Sequence, residues 1–334
     1  PPRSTLFPYT TLFRSAEAPL WSDLAALAIE RAGDPGGLRE LDRLEGVAVV
    51  DLTRGDYPAA RAGLERALSL RAAALGEDHP RYATTLNRLA AIHINTGDYA
   101  AAQPLLERAR AIRERVLGPD HPHLAGVLNN LGSVATRQSD PAAAIPLFAR
   151  ALAIEERALG PDHPNVALDL HNLASAYNID DRPAEALPRL ERALAIQERA
   201  LGPDHPLVAS TLGNLAGVKR ELGDLAVVRP LLERALELQE RTPDPDLASS
   251  LRELGYLSIE TGDLTAATAA LQRAAEIFER TNGPDHPELA ATLATLASIA
   301  LDQTRPNAAL PRPERALKIF DATPGTQPGE PDCR

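Results

Sequence analysis

The sequence predicts an all-α solenoid of about seven helix-turn-helix repeats, and three observations carry that prediction. The element Gly76-Glu77-Asp78-His79-Pro80 returns as Gly118-Pro119-Asp120-His121-Pro122, and again ending at Pro164, Pro206 and Pro287, with a step of 42 residues as far as Pro206. A second marker keeps the same beat: Gly55-Asp56, Gly97-Asp98, Gly223-Asp224 and Gly262-Asp263, with Ser139-Asp140 and Asp181-Arg182 in its place twice. Between the markers, apolar residues recur at three- and four-residue steps, the period of a helix. Self-similarity at a fixed period of this length marks a repeat architecture. The interval from Pro206 to Pro287 is three residues short of two repeats, and Thr242-Pro243-Asp244-Pro245-Asp246 stands at the shortened junction.

Composition agrees. Hydrophobic residues make up 44% of the 334 residues, but aromatics only 4%. Alanine and leucine fill the apolar quota, which favours closely packed helices over strands. The net charge of -11 repels a phosphate backbone, so no nucleic-acid partner is expected. No apolar run approaches the roughly 20 residues that span a bilayer, so no membrane partner is expected. The single cysteine, Cys333, cannot close an internal disulfide, and a cytoplasmic location is the expectation.

The elements follow in order. Residues 1–18 are expected to be non-native or disordered. The stretch from Thr5 to Ser15 resembles a translated sequencing adapter, and a signal peptide would need a continuous apolar centre that Pro8, Tyr9, Thr10 and Thr11 interrupt. With no methionine anywhere, the chain is expected to be a fragment. The solenoid is expected over 19–321, with an extra helix at 19–32 and units near 38–75, 80–117, 122–159, 164–201, 206–241, 246–281 and 287–320. Pro311 and Pro313 crowd the second helix of the last unit. The Pro- and Gly-rich residues 322–334 are expected to be a disordered tail.

Each unit reads as two helices. In the second, Leu86, Leu89, Ala90 and His93 form one stripe, Gly97-Asp98 breaks it, and Ala101, Ala102, Leu105, Leu106, Ala109, Ile112 and Val116 form the next. Glycine supplies the left-handed residue that ends a helix, and aspartate caps the following one. The Asp-His-Pro element reads likewise, with aspartate as the cap and proline in the first turn. Pro104, Pro146, Pro188, Pro230 and Pro311 recur inside second helices and predict a fixed bend. The loop histidines His79, His121, His163, His205 and His286 come from different layers about 10 Å apart, too far to converge on zinc, so no metal site is expected.

The residues from Ala83 to Ala90, Gly97 to Ala109 and Leu117 to Pro122 resemble the kinesin-light-chain type of tetratricopeptide repeat, over about residues 38–320 and most strongly over 75–241. The many Ala, Arg, Pro and Gly residues resemble bacterial members of the class. The resemblance implies a right-handed α-α superhelical solenoid whose first helices line a concave groove, and a non-catalytic scaffold that binds a protein or peptide. It also implies an alternative, a sensor or regulatory arm of a larger signalling enzyme. Carried over position by position, the groove residues are Asn87, Arg88, Asn129, Asn130, His171, Asn172 and Asn214, with Ser133, Arg137, Asn178 and Arg220 one turn on. Asn130, Asn172 and Asn214 form a ladder at the repeat step, and an asparagine amide can pair with a peptide backbone. The alternative is that they bond within the solenoid. Arg88, Arg137, His171 and Arg220 make the middle of the groove basic. They point to a peptide with an acidic or carboxylate-bearing centre across units two to five, unless these arginines are simply solvated.

No catalytic constellation is expected. The chain has no phosphate-binding loop, its cysteine lies in the tail, and Glu107, Glu191 and Glu233 each have an arginine next door (Arg108, Arg192, Arg234), as a solvated helix face does. No cofactor is implied.

Overall fold

The computed structural model describes residues 35–241, 246–284 and 286–302. The extra helix at 19–32, both terminal segments, Pro311 and Pro313 lie outside the described residues. Thirteen helices and no strand occur among those described. The chain divides into two compact units at Asp180 and Asp181. The first holds α1 (Pro35–Arg54), α2 (Tyr57–Leu75), α3 (Pro80–Asn95), α4 (Tyr99–Leu117), α5 (His123–Arg137), α6 (Pro141–Leu159) and α7 (Pro164–Ile179). The second holds α8 (Pro183–Leu201), α9 (Pro206–Glu221), α10 (Leu225–Arg241), α11 (Leu247–Glu260), α12 (Leu264–Asn282) and α13 (Pro287–Asp302).

The core runs from helix to helix. In the first unit Tyr82, Leu86, Ala90 and Ile94 of α3 pack with Ala102, Leu106, Ala109 and Ile112 of α4 and with Val127, Leu131 and Val134 of α5. In the second, Ala216 of α9 meets Val228 and Leu232 of α10 and Leu257 of α11. One helix pair leaves an apolar face open, and the next pair closes it. The expected stripe on α4 is corrected at its end: Val116 is 46% exposed, and the polar Arg113 takes the buried position beside Ile112.

The breaks are made largely as the spacing predicts. Gly55, Gly97, Gly223 and Gly262 have positive φ, and where the pattern substitutes, Ser139 (φ 61) and Asp181 (φ 55) hold the same left-handed conformation. Asp56, Asp98, Asp140 and Asp263 each accept an N–H from the third residue on, at 2.9–3.1 Å. Arg182, which replaces that aspartate before α8, makes no side-chain cap. Pro104, Pro146, Pro188 and Pro230 sit inside α4, α6, α8 and α10 on exposed positions, where water can serve the carbonyl each leaves without a donor.

The Asp-His-Pro element works differently from the expectation, because histidine and not aspartate caps the next helix. His79, His121, His163, His205 and His286 each accept a backbone N–H at Nδ1, at 3.1–3.2 Å. The aspartates pair instead with arginines on a later helix: Asp78 with Arg115, Asp120 with Arg157, Asp204 with Arg241. Three further arginines of second helices reach back in the same way. Arg108 binds Glu77, Arg150 binds Glu114 and the Pro119 carbonyl, and Arg234 binds Glu198 and the Pro203 carbonyl. These solvent-facing pairs link each junction to the helix that follows it.

Candidate interaction surface

In the first unit the expected groove residues lie on α3, α5 and α7. Their spacing puts two adjacent polar positions on each helix, and the two turn to different neighbours. Asn130 donates from Nδ2 to Asn87 Oδ1 at 2.9 Å, joining α5 to α3, and both side chains are buried. Asn129 donates to Asp169 Oδ1 of α7 at 2.6 Å, and its own carbonyl oxygen meets no donor. Asp169 is 2% exposed, and its Oδ2 also lacks a donor. Burial pushes its carboxyl well above the usual carboxylate range, Glu155 and Glu156 of α6 add to that, and only the Asn129 hydrogen bond opposes it. His171 is buried too, and loss of hydration lowers its pKa to about 4, so it carries no charge at neutral pH.

Further along the same helices the environment opens. Ser133 on α5 and Asn172, Ser175 and Asn178 on α7 are half-buried, while Arg137 is exposed. Asn172, Ser175 and Asn178 stand at three-residue steps and so share one face of α7. The Asn178 Oδ1 is buried without a donor. Arg88 is held 2.9 Å from Glu45 of α1, whose other oxygen lies 2.6 Å from Arg71. Glu45 therefore bridges two guanidinium groups.

In the second unit Asn214 is exposed on α9. Arg220 lies 3.1 Å from Glu253 and 2.9 Å from Glu260 of α11, with its guanidinium 5.5 Å from the Tyr256 ring centre. Burial pulls its pKa down, but the two glutamates outweigh burial and raise it. The structure thus brings Asn87 to Asn130 and ties Arg88 and Arg220 to glutamates. The three rungs of the ladder differ: Asn130 is buried, Asn172 half-buried and Asn214 exposed.

Sequence reasoning missed a second polar column. Arg71, Arg113, Glu155, Gln197 and Gln239 share the 42-residue step on second helices, and the four whose exposure decides the point, Arg71, Arg113, Gln197 and Gln239, are all buried. Arg71 donates to Thr85 and to the Arg81 carbonyl, and Arg113 to the His123 carbonyl and to Thr84. The signal was a polar residue four positions past a buried alanine (Ala67, Ala109, Ala151, Ala193, Ala235), on the core face of the helix.

Among the described residues no group of three or more His, Cys, Asp or Glu side chains could hold a metal ion, and no helix is long and apolar enough to cross a membrane. Stacked helix pairs presenting amides and hydroxyls define a helical-repeat interaction scaffold. The chain belongs to the tetratricopeptide-repeat family, which matches residues 41–113, 83–154, 123–196, 170–241 and 246–322. No curated protein matches the chain. Among solved structures it is similar to the tetratricopeptide-like repeats of a putative kinesin light chain from Podospora anserina, at 26% identity over 61% of this chain and 96% of that one, TM-score 0.52. It is also similar to BtubC (BKLC) from P. vanneervenii, at 24% identity over 73% of this chain and 92% of that one, TM-score 0.54. A Rap protein complexed with competence and sporulation factor shares the fold at 13% identity over 90% of this chain and 80% of that one, TM-score 0.62. The kinesin-light-chain character read from the repeat is thus shared with solved proteins.

Proposed function

We propose that the chain is a non-catalytic scaffold whose first helices bind an extended peptide or partner segment. The observation that carries this reading is the half-buried stripe Asn172–Ser175–Asn178 on α7, where the Asn178 Oδ1 has no donor. The half-buried amides and hydroxyl of that stripe offer donors and acceptors to a peptide backbone. In the second unit, taken by itself, the exposed side chain of Asn214 on α9 is a separate candidate for the same chemistry. A Rap protein that shares the fold is known complexed with competence and sporulation factor.

The preference for an acidic centre rests on Arg137. His171 is neutral, and Arg88 and Arg220 act on a ligand carboxylate only by leaving Glu45 or Glu253 and Glu260. A second reading keeps the same face but makes it the sensor arm of a larger signalling enzyme. A STAND protein with a tetratricopeptide-repeat sensor has a related fold at 15% identity. The full-length gene would distinguish the two readings.

Peptide-array binding tests the groove. Changing Asn172 and Asn178 of the first unit to alanine is expected to weaken captured peptides about tenfold per lost contact, and Asn214→Ala tests the second unit separately. Asn130→Ala breaks the buried bond to Asn87 and serves as the control for a lost fold, read by thermal melting. Unchanged affinity in a folded variant removes these amides from the site.

A further inference from the structure

Five described helices open on a histidine, a residue outside the usual capping set of Ser, Thr, Asp and Asn. The Nδ1 atoms of His79, His121 and His163 in the first unit accept the N–H of Arg81, His123 and Asn165. In the second unit His205 and His286 accept from Leu207 and Glu288. A nitrogen that accepts is unprotonated, so each ring is the neutral Nε2–H tautomer. Adding a proton at Nδ1 sets one N–H against another. It also places a cation at the positive end of a helix dipole.

A carboxylate beside the ring would offset that cost, but beside His79, His121 and His205 the adjacent aspartate is committed. Asp78 is bound by Arg115, Asp120 by both nitrogens of Arg157 at 3.0 and 3.2 Å, and Asp204 by Arg241 at 3.8 Å. Around His79 the remaining charged groups are Arg71 of α2, Arg81 of α3, and Glu77, which Arg108 of α4 holds. His121 faces the ring of His123 edge-on at 4.7 Å, and Glu288 follows His286. Burial lowers the pKa of His79, with Arg81 and Arg71 acting in the same direction, and burial lowers that of His205.

We infer that the capping histidines make the repeat junctions proton-sensitive, so that acid releases the first turns of α3, α5, α7, α9 and α13 and loosens the faces those helices present. At His79 and His205 the unfolded chain takes up protons that the native caps resist. Stability is therefore full above the ordinary histidine pKa of about 6.5 and falls as pH drops below it, until the folded rings protonate as well.

The test compares thermal unfolding of the whole chain at pH 7.5 and pH 5 with that of a variant carrying His79→Asn, His121→Asn, His163→Asn and His205→Asn. Asparagine caps a helix but does not titrate. The wild-type midpoint is expected to fall several degrees further between the two pH values than the variant's. His171 is common to both proteins and cancels. An equal fall in both overturns the inference. Should the variant not fold, NMR titration of the wild-type imidazoles decides, because His79 and His205 titrating at or above the ordinary value also overturns it.

Discussion

Gly132 and Phe148 show how one residue's size sets another's. A Cβ added at Gly132 would lie 2.7 Å from the Phe148 ring. Two repeats with alanine at this position, Ala90 and Ala216, pack a leucine, Leu106 and Leu232. Across these three repeats the small–large sum is kept in two forms, whereas Gly255 stands against Leu271. Gly132→Ala is expected to destabilise by about 1–3 kcal/mol through overpacking, and Phe148→Leu alone by about 1 kcal/mol through a cavity. Together they recreate the Ala–Leu pair, so the double mutant should be more stable than the two losses added. Chemical denaturation of all four proteins measures this, and strict additivity would refute it. Asp169 gives a second residue-scale prediction. Its folded-state pKa is raised, so its favourable contribution holds at low pH and is lost as pH rises through the folded value. Asp169→Asn keeps an acceptor for Asn129 and adds a donor. It is expected to stabilise by about 1–3 kcal/mol at pH 8 and by less at pH 4.5, as read from thermal melts.

Among helices, the breaks decide where one stops and the next starts. Ser139 and Asp181 hold left-handed backbone that glycine takes at the equivalent positions. That conformation disfavours a Cβ, although aspartate tolerates it better than serine. Ser139→Gly is therefore expected to stabilise by about 0.5–1 kcal/mol and Asp181→Gly by less, while Gly97→Ala, at φ 78, should destabilise. Urea titrations rank the three, and a destabilised Ser139→Gly would defeat the argument. These breaks were legible in the sequence because turn chemistry is local: glycine–aspartate spacing alone gave the ends of α1, α3, α9 and α11. The capping role of His79 and its equivalents was not legible. Aspartate and histidine stand side by side, and only the position of Arg115 or Arg157, arriving from a later helix, decides which of the two faces the helix.

At the level of the molecule, the 42-residue period revealed the helical-repeat class, since a repeat that cannot bury its own apolar face must stack. The candidate site was less legible, because identical columns meet different neighbours. Asn130 is spent on Asn87, Asn172 is half-buried and Asn214 exposed, although the sequence presents the three as equivalent. Charge misled in the same way: Arg88 and Arg220 read as groove cations until Glu45, Glu253 and Glu260 are placed beside them. Each of these glutamates sits a repeat or so away in sequence, beyond the reach of local pattern. The backward-reaching arginines have a consequence in time. Arg108 and Arg115 follow Glu77 and Asp78 by 31 and 37 residues, and Arg150 and Arg157 repeat the interval. During synthesis a finished junction therefore waits, unfastened, for the arginines of the next helix pair. At roughly 5–20 residues per second that interval is a few seconds. Each newly made repeat is thus exposed to chaperones and proteases for a fixed and similar time before its successor secures it.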